Sequence, residues 1–112
     1  MPHAPRTAPV RVLVTATCGD VGQVVMKSLL MAGPRFVVHA ADMNDGAAAM
    51  FVPPGRFHRV PSARSEADYA PYAAAIDQLC RQHGIEAVIP ASEAEIRALS
   101  VLPTHPLLPC GA

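Results

Sequence analysis

The chain alternates between short apolar runs and longer stretches in which apolar residues recur every three or four positions. Val10-Arg-Val-Leu-Val-Thr15 is a β-branched run that ends in small residues, and it predicts a buried strand. Val21, Val24, Val25, Leu29 and Leu30 then recur at helical spacing, and Gly33-Pro34 ends that helix. Arg35-Phe-Val-Val-His-Ala-Ala41 is a second apolar run, closed by Asp42. Two strands joined by such a helix predict a βαβ unit, nearly always right-handed. Ala47-Ala-Ala-Met50 has room for one or two helical turns before Pro53-Pro54-Gly55 breaks them. Phe57-His-Arg-Val60 is a short third strand, closed by Pro61.

The next helix carries Tyr69, Tyr72, Ala73, Ile76, Leu79 and Cys80 on one face. Ser65 or Asp68 can cap its start, Pro71 is placed in its first turn, and Gly84 fits a left-handed stop. Ile85-Glu-Ala-Val-Ile89 predicts a fourth strand, ended by Pro90. Ser92-Glu-Ala-Glu95 is a capping box: the Ser92 hydroxyl accepts from the Glu95 amide and the Glu95 side chain reaches back. Ile96, Leu99 and Leu102 give the last helix its apolar face, and Pro103 ends it. The order β-α-β-(α)-β-α-β-α predicts an α/β fold. It is a Rossmann-like, three-layer half fold with a parallel sheet of about four strands, covered on both faces.

Length and composition narrow the picture. The 112 residues allow one small domain. Six of the 12 prolines lie in residues 1–9 and 103–112. The expected organisation is a disordered proline-rich lead-in over residues 1–9, the folded domain over 10–102 and a proline-rich tail over 103–112, as in a truncated or frameshifted gene. Nine basic residues balance nine acidic ones. Without a basic face, nucleic-acid binding through phosphate contacts is excluded as an expectation. No apolar run approaches the ~20 residues that span a bilayer, so no membrane segment is expected. The N-terminus lacks the apolar stretch of a signal peptide. Three widely spaced cysteines, Cys18, Cys80 and Cys110, read as free thiols, which points to the cytoplasm. The histidines, His3, His39, His58, His83 and His105, are scattered without ligand spacing, so no metal site is expected.

In open α/β sheets, ligands bind beyond the carboxyl ends of the strands. Three segments fall there. Thr15-Ala-Thr-Cys-Gly-Asp-Val-Gly22 joins the first strand to the first helix. Gly19 can let the backbone approach a ligand, Gly22 can let helix and strand pack closely, and the helix-start amides favour an anion. Ala16 stands where the dinucleotide fingerprint has its first glycine. A tight turn with no ligand explains the same residues. Asp42 lies 20 residues past Gly22, where an acid can bond a ribose hydroxyl, or can simply be a loop residue or cap. In Pro90-Ala-Ser-Glu93, Ser92 is accounted for as a cap, while Glu93 complements the helix dipole and points at the crevice. Cys18 reads as a small turn residue, with no histidine or second cysteine beside it.

Four segments together carry a resemblance. They are Val12-Leu-Val-Thr15 with Gly19-Asp-Val-Gly22-Gln, then Ala40-Ala-Asp-Met43, then Asp68-Tyr69, then His83-Gly-Ile-Glu-Ala-Val-Ile-Pro90-Ala-Ser-Glu-Ala-Glu95. In this order the chain resembles the N-terminal, pre-ATP-grasp domain of ATP-grasp ligases, nearest the carbamoyl-phosphate-synthase-like group, over residues 10–102. The last segment is the more specific part. The resemblance implies a substrate-side domain of an enzyme that activates a carboxylate as an acyl phosphate and couples it to an amine or other nucleophile. It implies ATP and Mg²⁺ as cofactors of the full-length enzyme, held by ATP-grasp domains that this chain lacks, and no cofactor in the chain itself. It places Gly19, Gly22, Asp42, Ser92 and Glu93 in loops that bind a small-molecule acceptor substrate, with no catalytic residue and no metal ligand. An isolated chain of this kind is expected to be inactive, marginally stable and prone to self-association. Two other readings stand beside it. One is an NAD(P)-binding Rossmann domain of a short-chain-type reductase or epimerase, although neither tyrosine has a lysine four residues on. The other is a non-catalytic binding or oligomerisation module.

Overall fold

A computed structural model describes residues 8–44 and 52–100. Its elements are β1 (Val10–Val14), α1 (Asp20–Met31), β2 (Phe36–Asp42), β3 (Phe57–Arg59), α2 (Glu66–His83), β4 (Ala87–Ile89) and α3 (Glu93–Leu99), with a 3-10 turn at Gly33–Arg35. All strand pairs are parallel, in the spatial order β3-β2-β1-β4. The α/β half fold with a four-stranded parallel sheet is therefore observed. The chain lays down β1, crosses over α1 to β2, adds β3 outside it, and returns along α2 to place β4 on the far side of β1.

Alternation along the strands sorts the core into two faces. Val12, Val14, Val38 and Ala40 pack with Met26 of α1. Leu13, Ala41 and Val88 pack with Tyr72, Ile76 and Cys80 of α2 and with Ala98 and Leu99 of α3. The two apolar sets make three layers, as a parallel sheet buried on both faces requires. The stripe expected on α2 is the observed one: Tyr72, Ala73, Ile76 and Cys80 are buried and Tyr69 and Leu79 pack beside them. Gly84 adopts the left-handed conformation, φ 64°, and its amide bonds the Cys80 carbonyl.

Several local expectations are corrected. In α1 the inward residues are Gly22, Val25, Met26 and Leu29, whereas Val21, Val24 and Leu30 face solvent. Gly22 sets this rotation. A Cβ there would lie 2.1 Å from the Ala16 carbonyl oxygen, so the helix turns its bare backbone toward the loop. In α3, Ile96 is exposed and Ala98 and Leu99 are buried. The N-cap of α2 is Ser65, which makes Pro71 the sixth helical residue, past the first turn. The Ala67 carbonyl thereby loses its usual i+4 donor. Ile85 precedes β4; its amide bonds the Cys80 carbonyl while Glu86 donates to the Arg11 carbonyl. The short helix read at Ala47-Ala-Ala-Met50, the proline-rich ends at 1–7 and 103–112, and Leu102 lie outside the described residues.

Candidate functional site

The carboxyl ends of β1, β2 and β4 converge because all three run parallel in adjacent positions. A cleft of about 330 Å³ opens there, with Cys18, Gly19, Asp42, Arg64, Ser92 and Glu95 among its lining residues. A larger, more open hollow of about 660 Å³ lies away from the strand ends, its described walls being α2, α3 and Ser100.

The loop after β1 is built from backbone contacts. Ala16 takes a left-handed conformation, φ 52°, where glycine is the residue of least cost. Thr17 donates both its amide and its hydroxyl to the Ala41 carbonyl, at 3.3 Å and 3.2 Å. Gln23 donates its side-chain amide to the Cys18 carbonyl, 3.2 Å away. Gly19 is the N-cap of α1, at φ −85°, and its absent Cβ would meet the Ala16 oxygen at an ordinary 3.5 Å. Gly22 is the sterically required glycine; Gly19 is free of that demand and lies on the cleft wall.

Asp42 braces this loop. Its Oδ2 accepts from the Cys18 amide and its Oδ1 from the Asn44 amide, each at 2.8 Å. The residue is buried. Both carboxylate oxygens are thus already engaged by backbone donors, which ties the exit of β2 to the exit of β1.

On the β4 side, Ser92 caps α3 by accepting from the Glu95 amide at 3.4 Å. The reciprocal half of the expected box is replaced. Glu95 turns inward and accepts from the Tyr72 hydroxyl at 2.7 Å, with a further bond to Thr15. Burial pushes the Glu95 carboxyl above its ordinary range; the Thr15 and Tyr72 hydrogen bonds pull the other way, and the charge of Asp42 adds to the rise. Burial, then the Glu95 charge, raises the Tyr72 hydroxyl, which stays a donor. Thr15 also accepts from the Ala91 amide at 3.4 Å. Glu93 does not reach the cleft. It is 78% exposed and pairs with Arg97 at 2.6 Å on the solvent side of α3.

Of the five residues singled out from sequence, the structure brings Gly19, Asp42 and Ser92 to the cleft wall, uses Gly22 for packing and turns Glu93 to solvent. Glu95, Tyr72 and Thr15 form a polar network that the sequence reading did not assign to the site. The usable signal was Tyr72 among the small and apolar residues at the centre of the buried α2 face, because a buried phenol needs a partner. Arg64 adds a cation to the same wall. Among the described residues, no helix is long and apolar enough to cross a membrane. No family model matches the chain, and no curated protein matches it.

Proposed function

We propose that the chain is the substrate-side N-terminal domain of an ATP-grasp ligase, of the carbamoyl-phosphate-synthase-like group. One observation carries this reading: Gly19, Asp42 and Ser92, from three segments of the resemblance, line one cleft at the carboxyl ends of parallel strands. In this role the domain holds one end of a small acceptor substrate. Arg64 and the amides at the start of α1 favour an anionic group, and Glu95 offers an acceptor at the other side. The domain is not catalytic alone. ATP and Mg²⁺ belong to ATP-grasp domains that partner it, and the working compartment is the cytoplasm. The exposed Val21, Val24 and Met31 of α1 supply an apolar surface for self-association or for a neighbouring domain.

The dinucleotide reading has less support, because Asp42 already spends both oxygens on the Cys18 and Asn44 amides. Two measurements test the choice. The chain is titrated with NADH and NADPH by calorimetry and assayed with ATP and Mg²⁺; neither saturable micromolar binding nor ATP turnover is expected. Either result would overturn the proposal. As a positive arm, the chain replaces the N-terminal domain of a carbamoyl-phosphate-synthase-like ligase. Acceptor-dependent ATP consumption is expected to survive the replacement and to fall at least tenfold with Arg64→Ala.

A further inference from the structure

Three of the scattered histidines meet in space. His39 lies in the middle of β2, His58 in the middle of β3, and His83 is the last residue of α2. Parallel pairing of Ala41 with His58 puts His39 and His58 on the same sheet face, the face that α2 covers. Because α2 returns from the end of β3 to the start of β4, its C-terminus reaches the amino-terminal half of the sheet. Asp42 lies three residues along β2 from His39, about 10 Å at strand rise. The histidines therefore sit apart from the cleft.

Their geometry suits a metal ion. One ring nitrogen from each residue lies within 4.8 Å of the others. His39 Nδ1 and His58 Nε2 share a hydrogen bond at 3.0 Å. The His83 ring centroid is 5.0 Å from that of His39 and 4.5 Å from that of His58. Tetrahedral zinc with Zn–N distances of about 2.0–2.1 Å holds its nitrogens about 3.3–3.4 Å apart. One pair, at 3.0 Å, is already slightly closer than this, and the third ring, within 4.8 Å of the others, must close by up to about 1.4 Å. His39 is buried while His58 and His83 are half-buried, so an ion could enter from the solvent side.

We propose that His39, His58 and His83 form a three-histidine site for a divalent transition ion of the zinc type, with solvent as the fourth ligand. Imidazole nitrogens suit such ions, and three of them leave one open position. The nitrogens must be unprotonated to bind. Burial and the neighbouring histidines lower the His39 pKa to about 4 and lower that of His58 too, so both rings are neutral near pH 7. On binding, the proton shared between His39 and His58 moves to a ring nitrogen facing away. Arg11 and Arg56 also bear on His39 electrostatically. They oppose the added charge and favour an anion such as hydroxide in the fourth position. No carboxylate or thiolate joins the group among the described residues. Roughly micromolar affinity is therefore expected rather than that of a charged-ligand site.

Calorimetric titration of the chelator-stripped full chain with Zn²⁺ tests the proposal, with Co²⁺ as the spectroscopic substitute. One ion per chain is expected, with cobalt bands of four-coordinate intensity. His58→Gln and His83→Gln, both at half-buried positions, are each expected to weaken binding at least 30-fold. Substituting His3, His105 and Cys110 together is expected to leave it unchanged. NMR of the unmutated chain covers the event that a variant does not fold: Zn²⁺ should shift the ring signals of three histidines and spare His3 and His105. Absence of saturable binding, loss of binding on substituting the terminal residues, or unshifted rings of His39, His58 and His83 would overturn the site.

Discussion

Gly22→Ala is the sharpest test of how α1 is seated. On an exposed helix this change gains about 0.8–1.0 kcal/mol, because alanine is the better helix former. Here the new Cβ would lie 2.1 Å from the Ala16 carbonyl oxygen and 2.8 Å from both the Ala16 carbonyl carbon and the Thr17 Cα. All three are backbone atoms, so no side chain can swing aside. Relief needs roughly 1 Å of movement of α1 or of the loop, judged against ordinary carbon contacts. That movement would loosen the Met26 packing and the Thr17 bonds to Ala41. Overpacking of this kind costs about 1–3 kcal/mol and sometimes more, which outweighs the propensity gain. The expected net loss is about 2 kcal/mol, roughly a 30-fold fall in the folded-to-unfolded ratio. Urea unfolding followed by circular dichroism should show the midpoint lowered by about 1 M with an unchanged slope. Gly19→Ala is the comparison: its Cβ meets one atom at an ordinary 3.5 Å, so only the N-cap preference of glycine over alanine is lost, about 0.5–1 kcal/mol, and the midpoint should fall by less than half as much. A Gly22→Ala midpoint equal to or above the parent's would refute the close approach.

Other outcomes follow from the same structure. Ala16→Gly removes the left-handed strain at φ 52°, worth about 1–2 kcal/mol, against a glycine entropy cost of about 0.5–1; the urea midpoint should rise slightly. Pro71→Ala restores an amide to the Ala67 carbonyl inside α2 and should add about 1–2 kcal/mol, seen as a higher thermal midpoint. Acidification should destabilise the chain. The folded pKa values of His39 and His58 lie below 6.5, so between 6.5 and about 4 the unfolded chain binds more protons and stability falls as pH falls. His39, whose shift is the larger of the two, carries most of the fall. Glu95 acts with opposite sign, since its raised folded pKa contributes stability at pH near 4.5 that is lost as pH rises. Urea midpoints at pH 7, 6 and 5 should therefore decline in the Glu95→Gln variant, where the opposing carboxyl is removed; a flat or rising series there contradicts the buried neutral imidazoles.

Strand positions were legible because apolar runs bounded by glycine and proline report directly on burial. Helix rotation was less so. Apolar periodicity counts side chains, and the residue that orients α1 has none, so Val21 and Val24 looked inward when Gly22 was the contact. The same blindness displaced Pro71, since the extra turn from Glu66 carries no apolar signal. At the cleft, Gly19, Asp42 and Ser92 were visible by offset from the strands. Glu95 was not, because its capping role hid the stronger pull of the buried Tyr72 hydroxyl. The three histidines are separated by 19 and 25 positions, and their meeting depends on strand order that no local spacing encodes.

β2 links the two polar centres of the molecule in one rigid segment. Its Val38 sits opposite Val12 and its Ala40 opposite Val14, and this register places His39 toward α2 and Asp42 at the Cys18 amide. A slip of one residue would reverse the faces. His39 would then turn toward α1 and Asp42 would leave the loop it braces. A single mispairing error is thus penalised at the middle and at the end of the strand, by loss of the imidazole meeting and by an unmatched Cys18 amide. In folding terms, β2 proofreads its own alignment: the polar residues that look costly to bury are those that separate the correct register from its nearest competitor.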